Sequence, residues 1–395
     1  MSKILITGNG FDLFHHLPTK YQHFISIMQT IEKHQFKDEV TFLKLFGRSF
    51  KDRFPKDFES IVENYNVEHI KFDNLKIKQI DELLKENLWY KYFKTVLEID
   101  TWIDFEVEIN EVLILVNNYF DYYKSNYNKV KLLDYKDKDI LSVFKIISVS
   151  TNDLDDKYKI RRKVNERLAY EVLLYNLEDF IKIFNRYLVD IVSAFYDNIK
   201  QKISIPYHLM NEIYTFNYTP TLEKMYKVDK SKVVYLHGEI NEDFQKQNLV
   251  LGISELNDEV KESKIYGFTK YYQKVNKNSN NKFVDVPKRV TSSLNETVFY
   301  IIGHSLDLSD KEYIIDLFKF LEFDHNEFSK ICVFYFNEND KVNKWNNLFS
   351  IIDKEIILEM NKSKRLYFVE LSVENIQKEF CKDLYVDGGL VISVI

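Results

Sequence analysis

Between Lys56 and Ile205 the chain has neither glycine nor proline. A run of 150 residues without either breaker cannot be built from many short strands and tight turns, so it predicts a mostly helical block. Its clearest piece is Glu166 to Lys200. There Leu168, Val172, Leu173, Leu177, Phe180, Ile181, Phe184, Leu188, Ile191, Val192, Phe195 and Ile199 step by three and four and predict one continuous apolar stripe on a long helix. The middle, Lys124 to Lys163, is rich in Lys, Asp and Asn and reads as a connection, in part disordered. Ahead of the block, Pro18-Thr19 marks the start of an amphipathic helix over Tyr21 to His34.

The flanks read differently. The chain opens on Ile4-Leu5-Ile6-Thr7-Gly8-Asn9-Gly10-Phe11-Asp12, a short apolar run stopping at two glycines one residue apart. This predicts a buried first strand that ends in a tight turn. After Pro206, short apolar runs alternate with helical segments, the signature of a parallel α/β sheet. Strands are expected at Glu212–Phe216, Lys232–Leu236, Leu249–Leu251, Thr297–Ile302, Lys330–Phe336 and Lys364–Leu371. Pro220 is expected to start a helix through Tyr226, and Ser309-Asp310 to cap one running to Phe323. Lys274 to Lys282 reads as a mobile loop, and the tail from Gly388-Gly389 as turn plus strand. Two domains follow: 1–20 with 206–395 as a nucleotide-binding α/β domain, and 21–205 as a helical insertion forming a cap or second lobe.

Composition narrows the function classes. Net charge is −6 with the signs mixed along the chain, which argues against a dedicated nucleic-acid surface. No apolar run approaches the ~18–20 residues needed to span a bilayer. The N-terminus lacks the pattern of a signal peptide. Cys332 and Cys381, the two cysteines, sit in no metal or redox spacing. The expectation is a cytoplasmic protein without a metal. Nine glycines in 395 residues is far below the usual ~7%, so each is expected where the backbone needs it.

Four predicted strand ends carry polar groups suited to a nucleotide: Gly8-Asn9-Gly10-Phe11-Asp12, Thr215-Phe216-Asn217-Tyr218, Leu236-His237-Gly238 and Gly303-His304-Ser305-Leu306. In a parallel sheet they fall along one edge. The first would supply backbone donors for a diphosphate, and the last a glycine turn, a hydroxyl and a helix start. Each also has a plainer reading: a tight turn, a turn asparagine, a hydrogen-bonded core histidine. His15 and His16 read as surface or loop histidines. In Trp102-Ile103-Asp104-Phe105-Glu106, spacing alone reads as one buried tryptophan and two solvated acids.

The opening motif, with Leu17-Pro18-Thr19-x-Tyr21, resembles the start of the AbiH family of bacterial phage abortive-infection proteins. Trp102-x-Asp104-x-Glu106, Phe216-Asn217-Tyr218-Thr219, Leu236-His237-Gly238 and Gly303-His304-Ser305-Leu306-x-x-x-Asp310 extend the resemblance over most of the chain. It implies anti-phage defence, with growth arrest or death of the infected cell and a phage-encoded trigger as partner. It also gives Trp102, Asp104 and Glu106 weight as a point where the cap meets the pocket. Self-assembly into a homo-oligomer suits such an effector, though no pattern in the sequence demonstrates it.

The order glycine turn, Thr-x-Asn, His-Gly, Gly-x-Ser also resembles, more distantly, the sirtuins. That implies a Sir2-like Rossmann-type parallel sheet with a large all-helical insertion after the first strand, and NAD as substrate. Asn217 and His237 would line the pocket where the nicotinamide–ribose bond is cleaved, and Asp12 would bind ribose or stabilise positive charge. Gly8, Asn9 and Gly10 would form the phosphate turn, with Phe11 a further cofactor-binding candidate. Gly303 and Ser305 would hold the adenosine side, with His304 and Asp310 further cofactor-binding candidates. Sirtuins differ in having a small residue at Asn9 and an acid at Thr219, and their zinc module needs more than two cysteines. The alternatives are a module that binds NAD, ADP-ribose or another nucleotide without chemistry, and an effector acting on nucleic acid.

Overall fold

The computed structural model describes residues 2–34, 39–99, 104–125, 134–151, 153–160, 163–243, 246–258, 260–279, 283–284, 296–323, 328–382, 385–386 and 389–390. Trp102 and Gly388 lie outside the described residues. The chain forms two compact units. One comprises residues 1–17, 199–239 and 280–395, the other residues 18–198 and 240–279.

The first unit is built on six strands: β1 (Ser2–Thr7), β2 (Glu212–Thr215), β3 (Val233–Tyr235), β4 (Thr297–Ile302), β5 (Lys330–Tyr335) and β6 (Leu366–Glu370). All neighbours run parallel, in the order β6-β5-β4-β1-β2-β3. Read from β3, this is the doubly wound order 3-2-1-4-5-6 of the Rossmann-like fold. Period-two alternation explains why the strands bury both faces. Ile4, Ile6, Phe299, Ile301, Ile331 and Val333 enter one core. Leu5, Val298, Tyr300, Ile302, Cys332 and Phe334 enter the other. Helix Lys311–Phe323 closes the first face with Ile314, Leu317 and Phe318. Helix Val373–Phe380 closes the second with Ile376 and Phe380.

At the tail, Tyr385–Val386 pairs with Gly389–Leu390 as a short antiparallel ladder. Residues 391–395 are not described.

The second unit is mainly helical, with a core of aromatic rings. Tyr21 stacks on Phe105 at 4.1 Å and Phe93 on Phe105 at 4.3 Å. Phe24 meets Phe180, Phe184 and Tyr187 edge-on or tilted. The insertion is not all-helical. Val40–Thr41 pairs with Lys71–Phe72, and Lys159–Ile160 with Lys163–Val164. The connection expected at Lys124–Lys163 contains a helix, Tyr135–Val143. The long helix stops at Asp190 and gives way to a tighter helix, Val192–Asn198. That change re-aims Phe195 onto Phe42, Phe46 and Tyr65. No helix among the described residues is long and apolar enough to cross a membrane.

Residues 240–279, expected to stay with the sheet, belong to the helical unit. No strand forms at Leu249–Leu251. Its backbone finds a side chain instead of a ladder: Leu251 N–H donates to Gln273 Oε1, and Gln273 Nε2 donates to Leu251 O. The expected loop at Lys274–Lys282 begins inside a helix, Lys270–Asn276, with Lys274 and Ser279 buried. Residues 280–282 are not described.

Candidate functional site

In the sheet register Thr7 lies beside Thr215 and Ile302, and Thr215 beside Tyr235. The four polar strand ends therefore leave the sheet on one rim. The turn after β1 and the turn after β4 stand next to each other, where the strand order reverses. In open α/β sheets that switch point is where ligands bind.

These two turns interlock. Gly8 N–H donates to Ile302 O, Gly10 N–H to Gly303 O at 2.8 Å, and Phe11 N–H back to Gly8 O. Gly303 has φ +70°, and a Cβ there would stand 2.0 Å from Phe11 N. Three N–H groups expected to face a diphosphate are thus engaged within the protein, and the glycines serve close packing of loop on loop. Phe11 is a core residue, packed on His15 and Tyr207. Asn9 and Ser305 are exposed, and Ser305 O accepts from Asn347.

Asp12 turns inward. It is 1% exposed, and its two oxygens accept from Thr219 Oγ1 at 2.5 Å and Thr221 Oγ1 at 2.6 Å. Burial pushes its carboxyl up to about 6, against the hydroxyls of Thr219 and Thr221 and the neighbouring Asn217 amide, which pull it down. The carboxylate thereby ties down the loop after β2. A second tie comes from Thr215 Oγ1, which accepts from Thr7 Oγ1 at 2.9 Å and from Asn217 N–H at 3.1 Å. Threonines at 215, 219 and 221 around Asn217 carried this signal in the sequence as an alternating polar run following a strand.

Asn217, held by that loop, is 5% exposed. Its amide lies near enough to Asp12 to favour the charged carboxylate, but neither Oδ1 nor Nδ2 reaches full hydrogen-bond geometry with a partner among the described residues. Leaving a buried amide unmade costs about 1–3 kcal/mol, so a carboxamide in this state is suited to a ligand hydroxyl or amide that completes it.

His237 follows β3 and packs edge-on against Phe216 at 5.1 Å. His304 follows β4 and lies against the same ring at 4.2 Å. Asp310 faces both: Oδ1 is 3.2 Å from His237 Nε2 and Oδ2 is 3.4 Å from His304 Nε2. Asp310 is available for this because Asp307, not Ser309-Asp310, caps the helical turn, accepting from Ser309 N–H. Tyr313, three residues on, packs on Phe216 and faces His237. The sequence reading missed Tyr313; its signal is its position one helical turn after Asp310.

Other expected positions resolve differently. His15 is buried, not on the surface, with Nδ1 2.7 Å from Phe11 O and Nε2 2.5 Å from Tyr226 Oη. Burial pushes it down to about 4. Asp104 and Glu106 are not simply solvated. Asp104 caps helix Phe105–Ser125 by accepting from Glu106 N–H at 2.8 Å. Glu106 lies 2.7 Å from buried Lys270 within the helical unit. A separate cleft of about 500 Å³, lined by Lys330, Lys364, Tyr367 and Lys382 among others, opens toward the amino ends of β4, β5 and β6. It contains none of the rim residues.

A family model described as bacteriophage abortive infection AbiH matches residues 4–335. No curated protein and no solved structure matches the chain. The match runs from within β1 to the end of β5 and takes in Asp12, Asn217, His237, Gly303 and Asp310. The chain belongs to the AbiH family of bacteriophage abortive infection.

Proposed function

We propose that this abortive-infection protein acts by binding NAD on the carboxyl-end rim and hydrolysing its nicotinamide–ribose bond, so that the infected cell is starved of the dinucleotide. The anti-phage role comes with the family. The observation that carries the chemical reading is Asn217, a buried carboxamide whose polar atoms make no hydrogen bond among the described residues, on the carboxyl-end rim of a dinucleotide-type sheet, one strand from its switch point. The arrangement of Asn217 and His237 after successive strands resembles the sirtuin order. Thr219, standing where sirtuins have an acid, donates to Asp12, so the loop keeps a carboxylate by another route.

In the reaction water attacks the ribose carbon C1′ while the C1′–N bond breaks. The bonding pair goes to the pyridinium nitrogen, and nicotinamide leaves neutral without needing a proton. The state between is oxocarbenium-like, as in glycoside hydrolysis. Asn217 supplies a hydrogen bond to a ribose hydroxyl or to the water. His237 accepts the proton released from water, a role that typically contributes ~10²–10⁴-fold. The products are nicotinamide, ADP-ribose and a proton.

One observation favours binding without chemistry. Both oxygens of Asp12 are occupied by threonine hydroxyls, which removes it from direct contact with substrate. Purified full-length protein incubated with NAD, with and without phage lysate, separates the two readings. Wild type is expected to release nicotinamide, and His237→Ala and Asn217→Ala to do so at least a hundredfold more slowly. Tight nucleotide binding with no product favours the sensor, and equal turnover by the variants refutes the assignment.

A further inference from the structure

We propose that Phe336 is the base-stacking residue of the rim: the adenine ring of the dinucleotide lies on its face. The inference rests on the rim being the nucleotide site, and it names the group that holds the adenosine end.

The loops themselves create the need for such a group. Gly8, Gly10 and Phe11 direct their N–H groups to acceptors within the protein. The glycine turn therefore offers little to a diphosphate, and a nucleotide here must draw much of its affinity from its rings. Phe336 is placed to hold one. It follows directly on β5, on the same carboxyl-end rim as the turns after β1 and β4. Its side chain reaches the switch point, since a Cβ at Gly10 would stand 2.9 Å from Phe336 Cε2. Ile331, Cys332, Val333 and Phe334 of β5 are buried, whereas Phe336 is 39% exposed and belongs to neither core of the sheet unit.

The backbone under this ring is held. Phe336 N–H donates to Asp340 Oδ2 at 2.9 Å. The same oxygen accepts from Lys344 Nζ at 2.5 Å, and Lys344 is itself buried. Asn337 caps helix Glu338–Ile351 by accepting from Asp340 N–H. Asn347 of that helix donates to Ser305 O at 3.0 Å, which ties the turn after β5 to the turn after β4. A ring on a backbone fixed in advance gives up less freedom when a ligand stacks on it. Strand order sets the direction of the ligand. Asn217 and His237 follow β2 and β3 on one side of β1, and Phe336 follows β5 on the other. A dinucleotide lying across the switch point with its nicotinamide ribose at Asn217 brings its adenine to Phe336.

The test is calorimetric titration of the full-length protein with ADP-ribose, which carries adenine, and with nicotinamide mononucleotide, which does not. Phe336→Ala is expected to weaken ADP-ribose binding roughly fivefold or more and to leave binding of the mononucleotide unchanged. Phe336→Trp is expected to keep ADP-ribose binding, with its added indole emission quenched by ADP-ribose and not by the mononucleotide. Equal ADP-ribose affinity in wild type and a folded Phe336→Ala protein overturns the proposal. So does an equal loss for both probes, which marks a disturbed rim, and so does a Phe336→Trp emission that ADP-ribose leaves unchanged. A wild type that binds neither probe overturns it as well. Nicotinamide release from NAD is followed in parallel, and Phe336→Ala is expected to raise KM with little change in kcat. Adenine-dependent binding without nicotinamide release upholds the stacking and rejects hydrolysis. Nicotinamide release with the same KM in wild type and Phe336→Ala rejects the stacking and upholds hydrolysis.

Discussion

Asp12 and His15 stand three residues apart, and folding shifts their titrations toward each other. The folded carboxyl, at about 6, lies above its unfolded value. It contributes stability that is full below about pH 4 and is lost as pH rises through 6. The folded imidazole, at about 4, lies below its unfolded value. Its contribution is full above about pH 6.5 and is lost as pH falls toward 4. Each amounts to roughly 3 kcal/mol, and across pH 4 to 6 they oppose one another. Asp12→Asn keeps a group able to pair with both threonines and leaves His15 uncompensated. Its stability is expected to rise by roughly 2 kcal/mol more than that of wild type between pH 4.5 and 6.5, measured by urea unfolding. Parallel pH profiles for the two proteins would show that Asp12 ionises freely. This pair could not be foreseen from the residues alone. The burial of His15 depends on Tyr226 and Tyr207, about two hundred residues away, and neighbouring histidines carry no local mark of that.

At the scale of elements, the two loops at the switch point stand closest. Gly303→Ala puts a Cβ 2.4 Å from the Gly10 carbonyl carbon at a residue with φ +70°. It is expected to cost roughly 3 kcal/mol or more, read as a lowered urea midpoint. A stability within about 0.5 kcal/mol of wild type would contradict the packing described. In the helical unit, Lys270→Ala leaves Glu106 without its buried cation, and a loss of about 3–5 kcal/mol is expected. Calorimetry showing no change in Tm would refute the burial of that pair. Strand β4 was legible to the residue because Thr297–Ile302 is apolar on both faces and stops at a glycine. Leu249–Leu251 has the same local look, but a glutamine side chain took the place of a strand partner. Short apolar runs do not say which of these will meet them.

At the scale of the molecule, what matters is that β1 is separated from β2 by some two hundred residues yet lies between β2 and β4. Strand order follows from how the helices cover both faces, so the convergence of Asp12, Asn217, His237 and Gly303 on one rim was an expectation from the parallel-sheet rule. The strand ends themselves were visible in the sequence. The histidine–aspartate–histidine contact was not, because it depends on Asp307 taking the cap. The most direct test of the account is intracellular NAD, followed by mass spectrometry after phage infection of cells carrying wild type, His237→Ala or Asn217→Ala. The account expects NAD to fall as growth stops with wild type, and to hold with both variants while phage replicate. Growth arrest by wild type at constant NAD would contradict it.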